Sequence, residues 1–346
     1  MTALHAVQAT ARRLAFGAAA VFGASVLSFI ALRLLPGNPA RVILGPMAPA
    51  SAVRAETAAL GLTRPVYDQY FTYISDFFRG NWGYSYSNGA PVLSLFGQRI
   101  WATVELALYA FVFALVGAVL LALVTTYRRR PVLDGTVRGI SLIGLGTPPF
   151  WLGLVLLLVF FSRLGWFPAP GGRLSAADSP PPSITNLYTV DALLTGRWYT
   201  LGDALRHLVL PAVTLGLAPL GFLAGLLRAN LLDASREPYV TFARSKGLGR
   251  WLAFVRHVLP NAFLPTLTAS SIIFVQLLTG SVLVENVFGW PGIGSLVLQA
   301  ILVQDFAVAE AFIFMAAVAY VVVNTVVDIL YGIIDPRVRT ASGAGR

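Results

Sequence analysis

The sequence predicts an all-α integral membrane protein with about six transmembrane helices, both termini on the inner side, and an ordered extracytoplasmic segment between helices 1 and 2. Three observations carry this: the composition, the spacing of apolar runs, and the placement of positive charge. Of 346 residues, 57% are hydrophobic and 12% are charged, about half the charged share of a soluble domain. Mean hydropathy is +0.74. So few polar groups cannot cover a chain of this size, so lipid must solvate much of its exterior.

Six stretches have the roughly 20 apolar residues that a spanning helix needs: 14–35, 102–126, 137–161, 207–228, 262–284 and 306–331. Helices are expected because the bilayer core offers no partners for an open backbone. The first run follows Arg12 and Arg13 and has no small-residue cleavage site before Leu34-Leu35-Pro36, so an uncleaved first span is expected rather than a signal peptide. The third run contains Gly144, Gly146, Pro148 and Pro149, which predicts a break or kink there.

Basic residues set the orientation. With the N-terminus inside, Arg12 and Arg13, Arg128–Arg130 and Arg138, then Arg228, Arg236, Arg244, Lys246, Arg250 and Arg256, and finally Arg337, Arg339 and Arg346 all fall on the inner side in short segments. Those on the other side are spread over much longer stretches. This density favours both termini inside. The net charge of +10 therefore flanks spans from one side, which argues against nucleic-acid binding.

The outer connections differ. Residues 36–101 are long and contain Val66, Tyr70, Tyr73 and Phe77 at a spacing that places them on one face of an amphipathic helix. Asn88-Gly89 reads as a turn. Residues 162–206, rich in Pro and Gly, are expected to be irregular. In 285–305, Pro291-Gly292-Ile293-Gly294 is expected to open a short helix returning toward the membrane. The inner loop 229–261 is basic but interleaved with Phe242, Leu248, Trp251 and Phe254. A solvated charge run would lack those apolar groups, and a short amphipathic helix needs a partner groove or a membrane surface. Here Glu237-Pro238 opens a helix, Gly247 and Gly249 end it, a second runs over 250–258, and Pro260 is expected to redirect the chain. No internal repeat and no separate soluble domain is visible, so 1–346 reads as one unit.

Several chemistries are missing. There is no cysteine, no GxxxxGK[ST] phosphate loop, no HExxH and no GxSxG. His5, His207 and His257 are too far apart along this topology to converge on a metal. No catalytic, cofactor-binding or metal-ligating residue is therefore assigned. Charges in or beside the apolar runs are costly and pair or face a cavity. Glu105 lies in the second run. Arg228 and Asp328 near the inner ends of runs four and six form a candidate intramembrane ion pair, with snorkelling to the headgroups as the alternative. Gln276, Thr279, Ser281 and Glu285 in and after the fifth run are candidate pathway-lining residues, with helix packing as the alternative.

The inner loop resembles the permease subunits of binding-protein-dependent ABC importers. Their pattern EAA-x3-G-x9-I-x-L-P is met here by Ala243, Gly247, Leu259 and Pro260, while Thr241, Phe242 and His257 depart from it. The form used in the oligopeptide/dipeptide/nickel branch is matched by Tyr239, Ala243, Lys246, Gly247 and Leu248. The resemblance continues through Leu34-Leu35-Pro36-Gly37, Gly61–Pro65 with Gln69-Tyr70, Gly80–Ser85, Pro148–Trp151, Leu164–Pro168, Glu285–Gly294 and Asp335–Arg339. Asn38 and Asn81 stand where that family has Asp. The long first outer segment is similar to the B-type subunit of the heterodimer.

The resemblance implies a multi-pass subunit of the bacterial inner (cytoplasmic) membrane that forms half of a peptide pathway, with nickel, glutathione or another small solute as the alternative cargo. It implies a second homologous permease subunit, two ABC ATPase subunits and an extracytoplasmic substrate-binding protein as partners, besides membrane lipids. ATP and Mg would sit on the ATPase subunits, and no cofactor on this chain. Tyr239, Ala243, Lys246, Gly247, Leu248, Trp251, Leu259 and Pro260 would then form the contact that couples ATPase movement to the spans. A self-sufficient channel is disfavoured by such a loop, and a membrane enzyme by the absent catalytic constellations.

Overall fold

The computed structural model describes residues 17–30, 39–128 and 142–334, apart from the single positions 20, 28, 46 and 143, together with positions 135 and 139; side chains at 42, 323, 324 and 326–334 lie outside the description. The described chain is mostly helical, with almost no strand. The helices are α1 (Gly17–Leu27), α2 (Pro39–Leu44), α3 (Ala50–Ala59), α4 (Val66–Phe78), α5 (Val92–Arg128), α6 (Pro149–Arg163), α7 (Tyr188–Leu194), α8 (Trp198–Ala234), α9 (Pro238–Ser245), α10 (Arg250–Gly280), α11 (Val282–Phe288), α12 (Ile293–Leu302) and α13 (Phe306–Ile334). A two-stranded antiparallel hairpin, β1 (Tyr84–Ser85) with β2 (Ala90–Pro91), pairs Tyr84 with Pro91 around the Asn88-Gly89 turn.

By length and composition, Val92–Tyr127 of α5, Trp198–Ala234 of α8 and Arg250–Gly280 of α10 can each cross a membrane, while α1, α6, α12 and Phe306–Val322 of α13 are shorter apolar helices. The chain divides into two compact units: residues 1–100 with 295–346, and residues 101–294.

In the second unit, α5 and α8 approach closely because small residues stand between them. A Cβ on Gly216 would lie 2.6 Å from the Ala110 carbonyl oxygen, so a larger residue there would force the helices apart. Leu106, Leu208, Leu223, Phe288 and Trp290 fill the shared core. Pro211 and Pro219 sit inside α8. Each removes one backbone bond, which packed neighbours make tolerable at membrane depth.

Three expectations are corrected. The fifth apolar run is not one helix, since α10 ends at Gly280 and α11 begins at Val282, with Ser281 between. The second outer connection is not simply irregular: it contains α7, and α8 begins as early as Trp198. Pro260 does not redirect the chain, because helix runs from Arg250 through to Gly280. The ladder widens to a π turn over Phe254–Val258 just before the proline, and such a turn accommodates a residue that cannot donate. The interruption near Pro148 is present as a bend at Thr147 before α6, whose second half is also π-helical, over Leu157–Arg163.

In the first unit, the outer segment folds on aromatic contacts. Phe77 stacks on Trp82 at 4.5 Å and tilts against Phe314 at 4.0 Å, and Trp82 meets Phe96 edge-on at 5.7 Å. The hairpin is pinned to the start of α13 by Asp305, whose Oδ2 accepts from Ser85 Oγ at 2.6 Å and Ser87 Oγ at 2.7 Å.

Candidate functional site

Residues 238–260 form α9, a tight turn and the start of α10. Pro238 occupies the first turn of α9, where its missing N–H costs nothing. Its other end is a Schellman motif: Leu248 N–H donates to the Ala243 carbonyl at 3.3 Å, and Gly247 N–H to that of Arg244 at 3.0 Å. Gly247 supplies the left-handed residue that this geometry needs, at φ +89°. Gly249, extended at φ −59°, ψ 150°, then opens α10.

This segment is anchored by one face and presents the other. Val240 is buried with Phe254, Val258 and Ala262 against Ala122, Leu227 and Leu231, and Ala243 is buried as well. Phe242 is 62% exposed and Trp251 55%. Lys246 Nζ lies 4.5 Å from the Phe242 ring centre, Arg250 lies over Tyr127 at 5.5 Å, and Trp251 meets Tyr127 edge-on at 5.1 Å. Asn261 Nδ2 donates to the Tyr239 hydroxyl at 3.3 Å. Arg236, Arg244 and Arg256 of the same segment are also exposed. Aromatic and basic groups on a rigid helix suit an interface with an acidic rim.

The predicted residues thus divide between anchor and display. Ala243 is buried, Leu248 and Leu259 are half-buried, and Tyr239, Lys246, Gly247, Trp251 and Pro260 are exposed. The pathway candidates do not form one lining. Gln276 is exposed and Thr279 half-buried, but Ser281 and Glu285 are 1% and 0% exposed. The physical reason is their pairing within the chain: Glu285 Oε1 accepts from Thr103 Oγ1 at 2.7 Å and Ser281 Oγ at 2.8 Å, and Thr103 Oγ1 accepts in turn from Ile293 N–H at 2.9 Å. They fasten the Glu285–Gly294 segment to α5. Arg228 lies half-buried in α8, and its suggested partner, the Asp328 side chain, lies outside the described residues.

A second polar cluster was not assembled from sequence. Arg173 Nε and Nη2 donate to Glu105 Oε2 at 3.1 and 2.5 Å, while Thr189 N–H and Oγ1 donate to Glu105 Oε1 at 2.8 and 2.7 Å. The guanidinium also lies 3.4 Å from the Tyr188 ring centre. Nearby, Asp191 accepts from the backbone of Ile184, Thr185 and Asn186 and from Thr185 Oγ1. Burial pushes its carboxyl up, but those hydrogen bonds outweigh it and leave the group below its ordinary range. The one advance signal was Glu105 itself, a charge inside an apolar run that had to find a partner.

Residues 114–340 match the family described as "Binding-protein-dependent transport system inner membrane component", and residues 7–107 match its N-terminal membrane component. A probable D,D-dipeptide transport system permease protein of Escherichia coli K12 is 40% identical, over 93% of this chain and 95% of its own length. A di/tripeptide transport system permease protein of Pseudomonas aeruginosa is 38% identical over 95% of this chain and 98% of its own. A dipeptide transport system permease protein of Alkalihalophilus pseudofirmus is 34% identical over the same shares.

Proposed function

Because this chain belongs to the family of binding-protein-dependent transport system inner membrane components, we propose that it forms half of a pathway for short peptides and is driven through residues 239–260 by an ATPase subunit. The observation that carries this is the two-sided packing of this segment: Val240 joins the core cluster and Ala243 is buried, while Phe242, Lys246 and Trp251 are exposed. A push on the exposed face would pass directly to α8 and α10, because the same cluster includes Leu227, Leu231, Val258 and Ala262.

With both termini inside, spans over 14–35, 102–126, 137–161, 207–228, 262–280 and 306–331 would put that face at the inner surface among the arginines. Nucleotide chemistry belongs to the partner ATPases, where ATP and Mg bind, and the sequence here offers no phosphate loop. A second permease subunit supplies the other half of the path, and an extracytoplasmic binding protein delivers the cargo. Short peptides are favoured as cargo because relatives similar to this chain along nearly its whole length carry dipeptide or di/tripeptide names.

Affinity purification of the tagged chain in mild detergent, then reconstitution into vesicles, tests this. Recovery of a second permease and ATPase subunits, with ATP-dependent accumulation of a labelled dipeptide once a binding protein is added, is expected. Recovery of the chain alone at good yield, or a complex that hydrolyses ATP without moving any di- or tripeptide, would contradict it.

A further inference from the structure

Helix α4 carries more apolar surface than its own unit covers. At about 100° per residue, Val66, Tyr70, Tyr73 and Phe77 share one arc, Tyr67, Phe71, Ile74 and Phe78 the arc beside it, and Asp68, Thr72, Ser75 and Asp76 much of the remainder. The first arc is largely packed: Tyr70 contacts Phe22 and Phe29, Tyr73 contacts Phe29, and Phe77 is buried against Phe314. The second is open. Tyr67, Phe71 and Phe78 are 64%, 66% and 77% exposed.

The depth of α4 says what covers that second arc. Tyr70 OH shares a 2.7 Å hydrogen bond with Ser25 Oγ, and Ser25 falls near the middle of the apolar run 14–35. By sequence it stands ten residues before the outer end of that run. Independently, Phe77 packs on Phe314, about 12 Å along α13 from Phe306. α4 therefore meets α1 and α13 at residues inside both apolar runs, rather than standing clear of them. On α1, Phe22 and Leu27 are likewise 61% and 71% exposed. Exposed Arg64 and Arg79 flank the helix, as befits groups that reach headgroup phosphates from an interfacial segment.

We propose that α4 is an interfacial helix whose Tyr67, Phe71, Ile74 and Phe78 face rests in the acyl chains of the outer leaflet, with its Asp68, Thr72 and Asp76 side toward water. The three arcs then meet protein, lipid and solvent in turn. This rests on the six-span arrangement and adds a lipid contact within the segment between spans 1 and 2.

The chain has no cysteine, so single labels report cleanly. Tyr67→Cys, Phe71→Cys, Thr72→Cys and Leu120→Cys would each be prepared in the assembled complex, in nanodiscs of phosphatidylethanolamine and phosphatidylglycerol with a fraction of acyl-brominated lipid. Bimane fluorescence at positions 67 and 71 should be quenched by the brominated chains, and those thiols should resist a membrane-impermeant thiosulfonate. Position 72 should react and stay unquenched. Reactive, unquenched labels at 67 and 71 would overturn the lipid assignment in favour of water. Labels neither reactive nor quenched would overturn it in favour of a protein cover, such as the second permease subunit. Leu120 lies 57% exposed on α5; absence of quenching there would remove the six-span arrangement itself, so the two failures are distinguishable.

Discussion

Around Glu105, the charged groups that enter the protein find partners from the same chain; between Pro238 and Pro260, the side chains with the greatest binding capacity point away from it. Arg173 and Thr189 donate to both carboxylate oxygens of Glu105, and Arg173 is itself 8% exposed. Phe242 and Trp251 instead remain largely exposed on a helix whose other side is tightly packed. A group satisfied internally contributes to holding a segment in place. A group displayed on a stiff support contributes when something docks on it. The first region ties the loop before α7 to α5; the second, under the proposed function, would receive the ATPase contact.

The largest effect should come from breaking the closed region. Glu105→Ala leaves the Arg173 guanidinium buried without its anion, which costs about 3–5 kcal/mol. Thermal unfolding of the purified complex should shift down strongly, and pairing it with Arg173→Met should restore much of the loss. If the single variant melts like the parent, the pair is not holding the loop.

Next is Gly247. A Cβ there meets nothing within 4 Å, but the residue sits at φ +89°, so any cost is conformational, about 1–2 kcal/mol for an ordinary side chain. Gly247→Leu should leave insertion and assembly intact while uptake is lost, because the Schellman end of α9 is disturbed. Gly247→Asn, which tolerates the left-handed region, should keep most of the uptake. Equal behaviour of the two would separate the motif from coupling.

The smallest effect concerns Asp191. Its folded pKa is lowered from 3.8, so its contribution to stability is fully present above that value and fades as the pH falls below it, through the folded pKa. Unfolding followed across pH 5 to 3 should show a modest decline that Asp191→Asn flattens. A flat profile in the parent would indicate that the 184–186 turn does not depend on the carboxylate.

Local periodicity carried most of the fold. The apolar runs located α5, α8 and α13 because twenty consecutive apolar residues have few other uses, and the spacing of Tyr70, Tyr73 and Phe77 located the packed face of α4. The display of Phe242 and Trp251 was legible for the same reason: aromatic groups among arginines are conspicuous. Contacts between distant residues were not legible. Nothing in the local sequence joins Glu105 to Arg173, 68 residues apart, or directs Ser281 and Glu285 to Thr103 rather than to a pathway. Pro260 was misread because a proline signals a break unless the preceding turn widens, and the π turn at Phe254–Val258, which packs against α8 and α5, leaves no mark in the local sequence.

Docking at the exposed face of α9 and α10 is most directly tested by proximity. Phe242→Cys and Trp251→Cys, each labelled with a short photoactivatable crosslinker in the otherwise cysteine-free chain, would be irradiated in the purified complex, with Leu194→Cys on α7 as the control. The expected result is a product joining this chain to an ATPase subunit from positions 242 and 251, and none from 194. Absence of that product from both positions, in a complex that retains its ATPase subunits, would contradict the assignment of residues 239–260 as the coupling contact.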